Sequence, residues 1–360
     1  MKSKVRIGIV GTGAGMRTHF PAFKDLADIV GIVGQKYGKT KEIAEKHGID
    51  HVYSDYRALC DREDIDLVII ATPNDLHFEQ VKYAIKKGKH VLAEKPLVLT
   101  IPENEELISL EKEAGNGRLL LVNHQLRFNP YMGKIREIIG SNSLGEIYHA
   151  HIFQQSSAFS KKDMEPSWSF ERAKGGGVRW AMGSHLLDLV GFLFPNETIE
   201  RGMADSDSVI DKRNNPEYRC QMEVSSFFIA NLSMDSGMSV LLSTNAASLG
   251  KSEFSISIYG TDGEIHFDLE NKLSMKLIGE AAFHSVEVDH VKEEELKNEI
   301  SIFRSSFKHF AGYIISCIEE KNGNTVDYAP TFKNSLQLLR ILEGARKSND
   351  KKSSPYFELN

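Results

Sequence analysis

The chain has 360 residues, 41% apolar and 26% charged, and its 44 basic side chains fall short of its 50 acidic ones, a net charge of −6 with histidine neutral. At roughly 100–200 residues per domain this length implies two domains, each able to bury a core without disulfides or metals. The acidic balance argues against a nucleic-acid partner, because phosphate neutralisation needs a basic face. No apolar run reaches the roughly 18–20 residues that cross a bilayer, and the opening MKSKVRIGIVG is too short in apolar residues for a secretory signal, so a cytoplasmic protein without a membrane partner is expected. Cys60, Cys220 and Cys317 lie far apart in no paired motif. They read as reduced thiols rather than a disulfide frame or a zinc site, and no metal is expected.

Up to residue 125, five apolar runs read as strands: VRIGIVG (5–11), IVGIVG (29–34), LVIIATP (67–73), HVLAEKP (90–96) and LLLVNHQ (119–125). Each is apolar nearly throughout, as a strand covered on both faces must be, and segments such as FEQVKYAIKKG between them carry helical spacing. This pattern predicts an α/β domain over 1–125 built on a doubly wound parallel sheet. From residue 126 to 360 the pattern changes. EIYHAHIFQQ, CQMEVSSFFIANLSM, MSVLLSTNAA, FSISIYG and EIHFDL alternate polar with apolar residues, which predicts an α+β domain with a large, mostly antiparallel sheet open on one face. Helices are expected over 301–320 and 330–346, and the polar tail SNDKKSSPYFELN is expected to be loosely held.

The first strand runs into GTGAGMRTH, placing Gly11 and Gly13 in the first two positions of G-x-G-x-x-G, with Ala14 and Gly15 between them and Met16, which replaces the third glycine. The first glycine permits a tight turn and the second lets backbone approach a pyrophosphate, whose charge rests on the amides of the following helix. The alternative is a glycine turn with no ligand. An acid for a ribose 2′-hydroxyl is expected about 20 residues further on. That position holds Gly34, followed by Gln35 and Lys36. Without a carboxylate nothing repels a 2′-phosphate and Lys36 can pair with one, which favours NADP over NAD; a solvated loop lysine is the other reading.

These motifs, taken with ATPNDLH (71–77), AEKPL (93–97), NHQLRFNP (123–130) and GGGVRWAMGSHLLD (175–188), resemble the Gfo/Idh/MocA family of nicotinamide-dependent oxidoreductases over nearly the whole chain. The resemblance implies a Rossmann domain in which Gly11, Gly13 and Met16 lie under the dinucleotide. Thr72, Pro73, Asn74 and His77 then line it, Glu94 and Lys95 sit by the nicotinamide, and Asn123 and His124 reach the cofactor or substrate. Arg127 reads equally as a structural ion pair. Lys95 is the first catalytic candidate, since an ammonium there can stabilise a developing alkoxide. His185 is the second, as the histidine that accepts or returns the hydroxyl proton. Asp188 is read as structural.

The chain departs from the family at Ala181, where an aspartate usually precedes the histidine by four places and would orient the imidazole. Arg179 and Trp180 become candidates for substrate recognition, the first for a carboxylate or phosphate and the second for stacking on a sugar; Trp168 resembles another position near the substrate. The resemblance implies hydride transfer to or from a secondary alcohol or ketone carbon of a sugar, cyclitol or related polyol. A non-catalytic NAD(P)-binding regulator and a redox-assisted, NAD-dependent glycosidase are the alternatives. A homodimer or homotetramer formed through the open sheet face is also implied.

Overall fold

A computed structural model describes residues 4–115, 117–159, 167–206, 226–270, 272–289, 291, 299–320, 326–350 and 356–358. Cys220 and the start of the run CQMEVS lie outside them, whereas Cys60 and Cys317 are free thiols. The chain divides into two compact units, one of residues 1–125 with 306–337, the other of 126–305 with 338–360.

The first unit carries strands β1 (Arg6–Val10), β2 (Asp28–Val33), β3 (His51–Tyr53), β4 (Leu67–Ile70), β5 (His90–Ala93) and β6 (Leu120–Val122). They form one parallel sheet in the order β3-β2-β1-β4-β5-β6. All four residues of β4 are fully buried, as expected for a strand covered by helices on both faces. β3 carries no signal in the sequence, because it is three half-buried residues at the sheet edge. Late chain closes this unit: the Val122 amide donates to the Pro330 carbonyl at 2.9 Å and the Asn104 side chain donates to the Phe332 carbonyl at 3.0 Å. The strand order reverses between β1 and β4, and the crevice beyond the carboxyl ends of such a pair is where open α/β sheets bind ligands.

Among the described residues the second unit is built on a sheet of nine strands, β7 (Ile147–Gln155), β8 (Ile199–Asp205), β9 (Phe227–Met234), β10 (Ser239–Asn245), β11 (Glu253–Gly260), β12 (Gly263–Asp268), β13 (Lys272–Leu277), β14 (His284–Ser285) and β15 (Tyr356–Glu358). Its order is β14-β13-β12-β11-β7-β10-β9-β8-β15, and among these described strands only β7 with β10 is a parallel pair. Alternation sets the two faces. Ile152, Phe228, Leu242, Ile256 and Phe267 are buried on one, and His151, Ile229, Leu241, Ser257 and His266 are partly or well exposed on the other.

The tail expected to be loose instead supplies β15, which pairs with β8 through Phe357 opposite Gly202. Phe357 is buried because two glycines make its seat: a Cβ on either Gly202 or Gly344 would run into its ring. β8 escaped the sequence reading because Arg201, Gly202 and Asp205 dilute its apolar signal. No helix among the described residues is long and apolar enough to cross a membrane. Truncating Phe357 to alanine should lower unfolding free energy by about 3 kcal/mol in urea titrations, a core-phenylalanine cost; an unchanged midpoint would show that the strand adds nothing.

Candidate active site

At the end of β1, Gly11 adopts φ +111° and its amide donates to the Val33 carbonyl at 2.9 Å. A Cβ there would strike the Ala71 carbonyl oxygen at the end of β4, so only glycine permits this approach. Gly13 is different, since a Cβ on it would meet nothing within 4 Å. That open cradle at the switch point fits a pyrophosphate resting on backbone. The third-glycine role belongs to Gly15, whose Cβ would come within 2.6 Å of Ile9 Cγ2 and separate helix from strand. Met16, expected under the dinucleotide, packs against the apolar cluster of Ile32, Ala44 and Ile49. Ala14 leads into a π-turn over Gly15–His19.

Gly34 ends β2 in a crowded place. A Cβ there would collide with Thr40 Oγ1 and come within 2.8 Å of Thr12 Cγ2, so the position has no room for an acid. Gln35 and Lys36 are exposed, and Lys36 precedes a helix, Tyr37–His47, whose first turn contains no acidic residue.

Past β4, the Thr72 hydroxyl donates to Gln80 Oε1 at 2.7 Å, Pro73 is half-buried, and Asn74 begins a 3₁₀ turn. His77, expected to line the cofactor, is fully enclosed and presents no open ring face. Its Nδ1 lies 3.0 Å from the Pro96 carbonyl oxygen and its Nε2 lies 3.0 Å from that of Thr72. Burial lowers its pKa, against the Thr72, Pro96 and Leu97 backbone and the Glu94 charge, which raise it.

Past β5, Glu94 is the centre of a network. Its Oε1 accepts from His19 Nε2 at 2.8 Å and from Asn123 Nδ2 at 2.9 Å, and its Oε2 accepts from the Lys95 amide at 3.2 Å. Burial alone would push this carboxyl up; the His19 and Asn123 hydrogen bonds and the Lys95 charge outweigh it and hold the group well below the usual carboxylate range. Lys95 is half-buried, and burial lowers its pKa while Glu94 pulls it back up. His19 is fully buried, with its ring edge-on to Phe307 at 4.8 Å. It stands three residues past Met16 in GTGAGMRTH and carries no signal of its own in the sequence. Asn123 is spent on Glu94, and His124, expected at the substrate, is enclosed at 2% exposure.

In the second unit, Trp168 is half-buried at the start of a 3₁₀ turn, and Gly176 presses so closely on the Ser169 carbonyl that a side chain would not fit. A π-turn over Arg179–Gly183 leads into the helix Ser184–Leu193, which carries His185. Trp180, expected to stack on a sugar, is buried, and the Arg179 guanidinium carbon lies 5.8 Å from its ring centroid. Ala181 supplies no acid in the turn before His185, whose ring meets Phe303 edge-on at 5.2 Å. Arg127 and Asp188 form a bidentate pair at 2.8 and 2.7 Å, both buried, so the ion-pair reading of Arg127 and the structural reading of Asp188 describe one contact.

Residues 5–124 match a family model described as an oxidoreductase family with an NAD-binding Rossmann fold, and residues 132–266 match the GFO/IDH/MocA C-terminal domain. An uncharacterized oxidoreductase of Synechocystis sp. is 29% identical over 190 residues, 52% of this chain and 51% of that one. The scyllo-inositol 2-dehydrogenase (NADP(+)) IolW of Bacillus subtilis is 29% identical over 191 residues, 53% of this chain and 52% of its own. The match thus spans about half the length of these curated relatives. A levoglucosan dehydrogenase solved with NADH and L-sorbose shares the fold, with a TM-score of 0.85 at 20% identity over 99% of each chain.

Two outcomes follow from the buried charges. Arg127→Ala should cost about 3–5 kcal/mol in urea unfolding, because it strands the Asp188 carboxylate; a loss below about 1 kcal/mol would contradict a dry pair. Glu94 binds its proton less readily folded than unfolded, so its stabilisation is present above about pH 4.5 and fades as pH falls. Glu94→Gln should therefore flatten the dependence of unfolding free energy on pH below that value, and an unchanged acid slope would refute the ionised assignment.

Proposed function

The chain belongs to the GFO/IDH/MocA oxidoreductase family, and we propose that it transfers hydride between a nicotinamide dinucleotide and a secondary alcohol or ketone carbon of a sugar, cyclitol or related polyol. The observation that carries this reading is Lys95, half-buried beside a deprotonated Glu94 and next to Pro96 at the carboxyl end of β5. A bound nicotinamide would supply the hydride donor or acceptor. Backbone at Gly13 would hold its pyrophosphate, with Gly11 making the turn and Thr72, Pro73 and Asn74 beside it.

Lys95 donates to the substrate oxygen and stabilises its alkoxide character. Because burial disfavours its charge, its proton is released more readily than that of a surface lysine, which suits a group that gives and takes one proton per turnover. His185 is the second proton carrier. Ala181 stands where the family motif carries an acid, and Lys95 carries the larger share. Trp168 and Arg179 recognise substrate, Arg179 through a carboxylate or phosphate. Polyhydroxylated rings are supported by the substrate named for IolW and the L-sorbose bound to the levoglucosan dehydrogenase.

NADP is the proposed cofactor. Its support is the crowding at Gly34, which leaves no room for a ribose-binding acid, together with exposed Lys36. A homodimer or homotetramer is proposed through the open sheet face around Leu241, Ser257 and His266.

A panel of sugars and cyclitols with NAD and with NADP, read by absorbance of the reduced nicotinamide, tests the activity. Lys95→Ala should reduce kcat by at least about 10²-fold, the scale of a lost general acid–base; full turnover in that variant would sink the mechanism. Saturating NADP should raise Tm more than NAD does, and the reverse order would overturn the cofactor assignment. Cofactor binding with no turnover on any polyol would point to a regulator.

A further inference from the structure

His19 is fully buried, and among the described residues its ring meets one polar side chain, with Nε2 lying 2.8 Å from Glu94 Oε1. Its Nδ1 faces no hydrogen-bond partner among those residues. A neutral imidazole carries a single N–H, and one placed on Nδ1 would be buried with no acceptor. In the neutral ring and in the imidazolium alike, the Nε2–H therefore donates to the carboxylate. Packing does not account for an imidazole here. Phe307 meets the ring edge-on at 4.8 Å, but an apolar side chain of like size would make that contact without burying an idle nitrogen.

What the ring supplies is a donor to a carboxylate that has little water. Glu94 Oε1 accepts a second bond from Asn123 Nδ2 at 2.9 Å, and its Oε2 takes the Lys95 amide at 3.2 Å. The charged and titratable groups facing it are His19, Lys95 and the enclosed His77, which feels the Glu94 charge. Without His19, Oε1 keeps one side-chain donor, Asn123, and burial, which favours the protonated carboxyl, meets less opposition. A protonated Glu94 would no longer oppose the burial that disfavours the Lys95 ammonium.

We propose that His19 is a positioning residue for Lys95: its Nε2–H holds the Glu94 carboxylate as the counter-charge that lets the lysine meet the substrate oxygen as an ammonium. The proposal rests on the oxidoreductase reading above and extends it to a residue outside the reacting atoms.

Two substitutions separate the donor from the bulk. In His19→Gln the side-chain amide nitrogen comes to the place of the imidazole Nε2 and keeps a donor; His19→Leu keeps the bulk and removes the donor. The readout is the rate at which acetic anhydride acylates Lys95 in the cofactor-free protein at neutral pH, followed by mass spectrometry. Only the free amine reacts, so a lysine that has lost its counter-charge reacts faster. His19→Leu should raise the rate about tenfold, the effect of a charge lost at close range, and His19→Gln should leave it near wild type. Glu94→Gln should raise it as well, and adding His19→Leu to that variant should change nothing further. Equal rates in wild type and His19→Leu would overturn the proposal. So would equal changes in both His19 variants in step with Tm, or an effect of His19→Leu that persists beside Glu94→Gln, since each marks a residue that only packs.

Should His19→Leu fail to fold, the wild-type ring reports directly. Its ¹⁵N spectrum should place a proton on Nε2, and a ring protonated on Nδ1 alone would overturn the proposal. If the wild-type protein turns over no polyol, the oxidoreductase reading falls and the role of His19 with it, whatever the acylation pattern. Turnover together with unchanged acylation in His19→Leu removes the proposal alone.

Discussion

Glu94 keeps a carboxylate ionised where only 16% of its side chain meets solvent, and an ion with so little water persists only where donors replace what it lost. Those donors come from three separate stretches of chain: His19 beyond the nucleotide loop, Asn123 beyond β6, and the amide of Lys95 beyond β5. One acceptor therefore joins the turn after the nucleotide loop to the carboxyl ends of β5 and β6. The neighbouring ammonium inherits this arrangement. Burial presses Lys95 toward its neutral form and the Glu94 charge opposes that pressure, so the position of the nucleotide loop and the proton affinity of the lysine share a single carboxylate.

Both helices that open a candidate site segment begin with a π-turn, Gly15–His19 in the first unit and Arg179–Gly183 in the second. Such turns are rare and expensive in hydrogen-bond geometry, and they concentrate where a side chain must be aimed away from its α-helical direction. In the first unit the turn ends on His19, delivering it to Glu94. In the second, the Ser184 amide reaches back five residues to the Arg179 carbonyl, and the Ser184 hydroxyl reaches the Trp180 carbonyl at 2.6 Å. Counting back by fours from His185 therefore does not describe which side chain lies beneath it, and the absence of an acid at Ala181 bears on family motif more than on helical stacking.

The fold was legible wherever burial was uniform or strictly alternating. β4 is apolar at every position because both its faces are covered, and β7, β10 and β11 alternate because only one face is. What escaped were elements too short or too mixed to carry a period: β3, β8, β13, β14 and the tail strand, whose anchor Phe357 is recognised by glycines 155 and 13 positions away in sequence rather than by its neighbours. Gly11, Gly13, Glu94 and Lys95 stand in the sequence directly after the ends of strands, where a candidate site is easiest to read; Asn123 stands there too, but its side chain goes to Glu94. The places of Gly15, Met16, His19 and His77 cannot be read that way, since a motif states which residue types recur but not which face of a turn each one takes. His77 and Met16 turned inward to pack, and His19 became the partner of the carboxylate.

The lost acid at the end of β2 is a packing fact before it is a specificity fact. Thr40 donates its hydroxyl to the Lys36 carbonyl at 2.9 Å, and with the Thr12 methyl it fills the space a side chain at Gly34 would need. Restoring a carboxylate there would displace the first turn of the helix Tyr37–His47, so the choice against it is held by several contacts at once. That helix has no side-chain cap hydrogen bond; Lys36 is its N-cap and Lys39 stands in its first turn, cations at the positive end of a macrodipole. Neither lysine gains from its own helix. An anion at this end would meet the helix N-terminus and two lysines together.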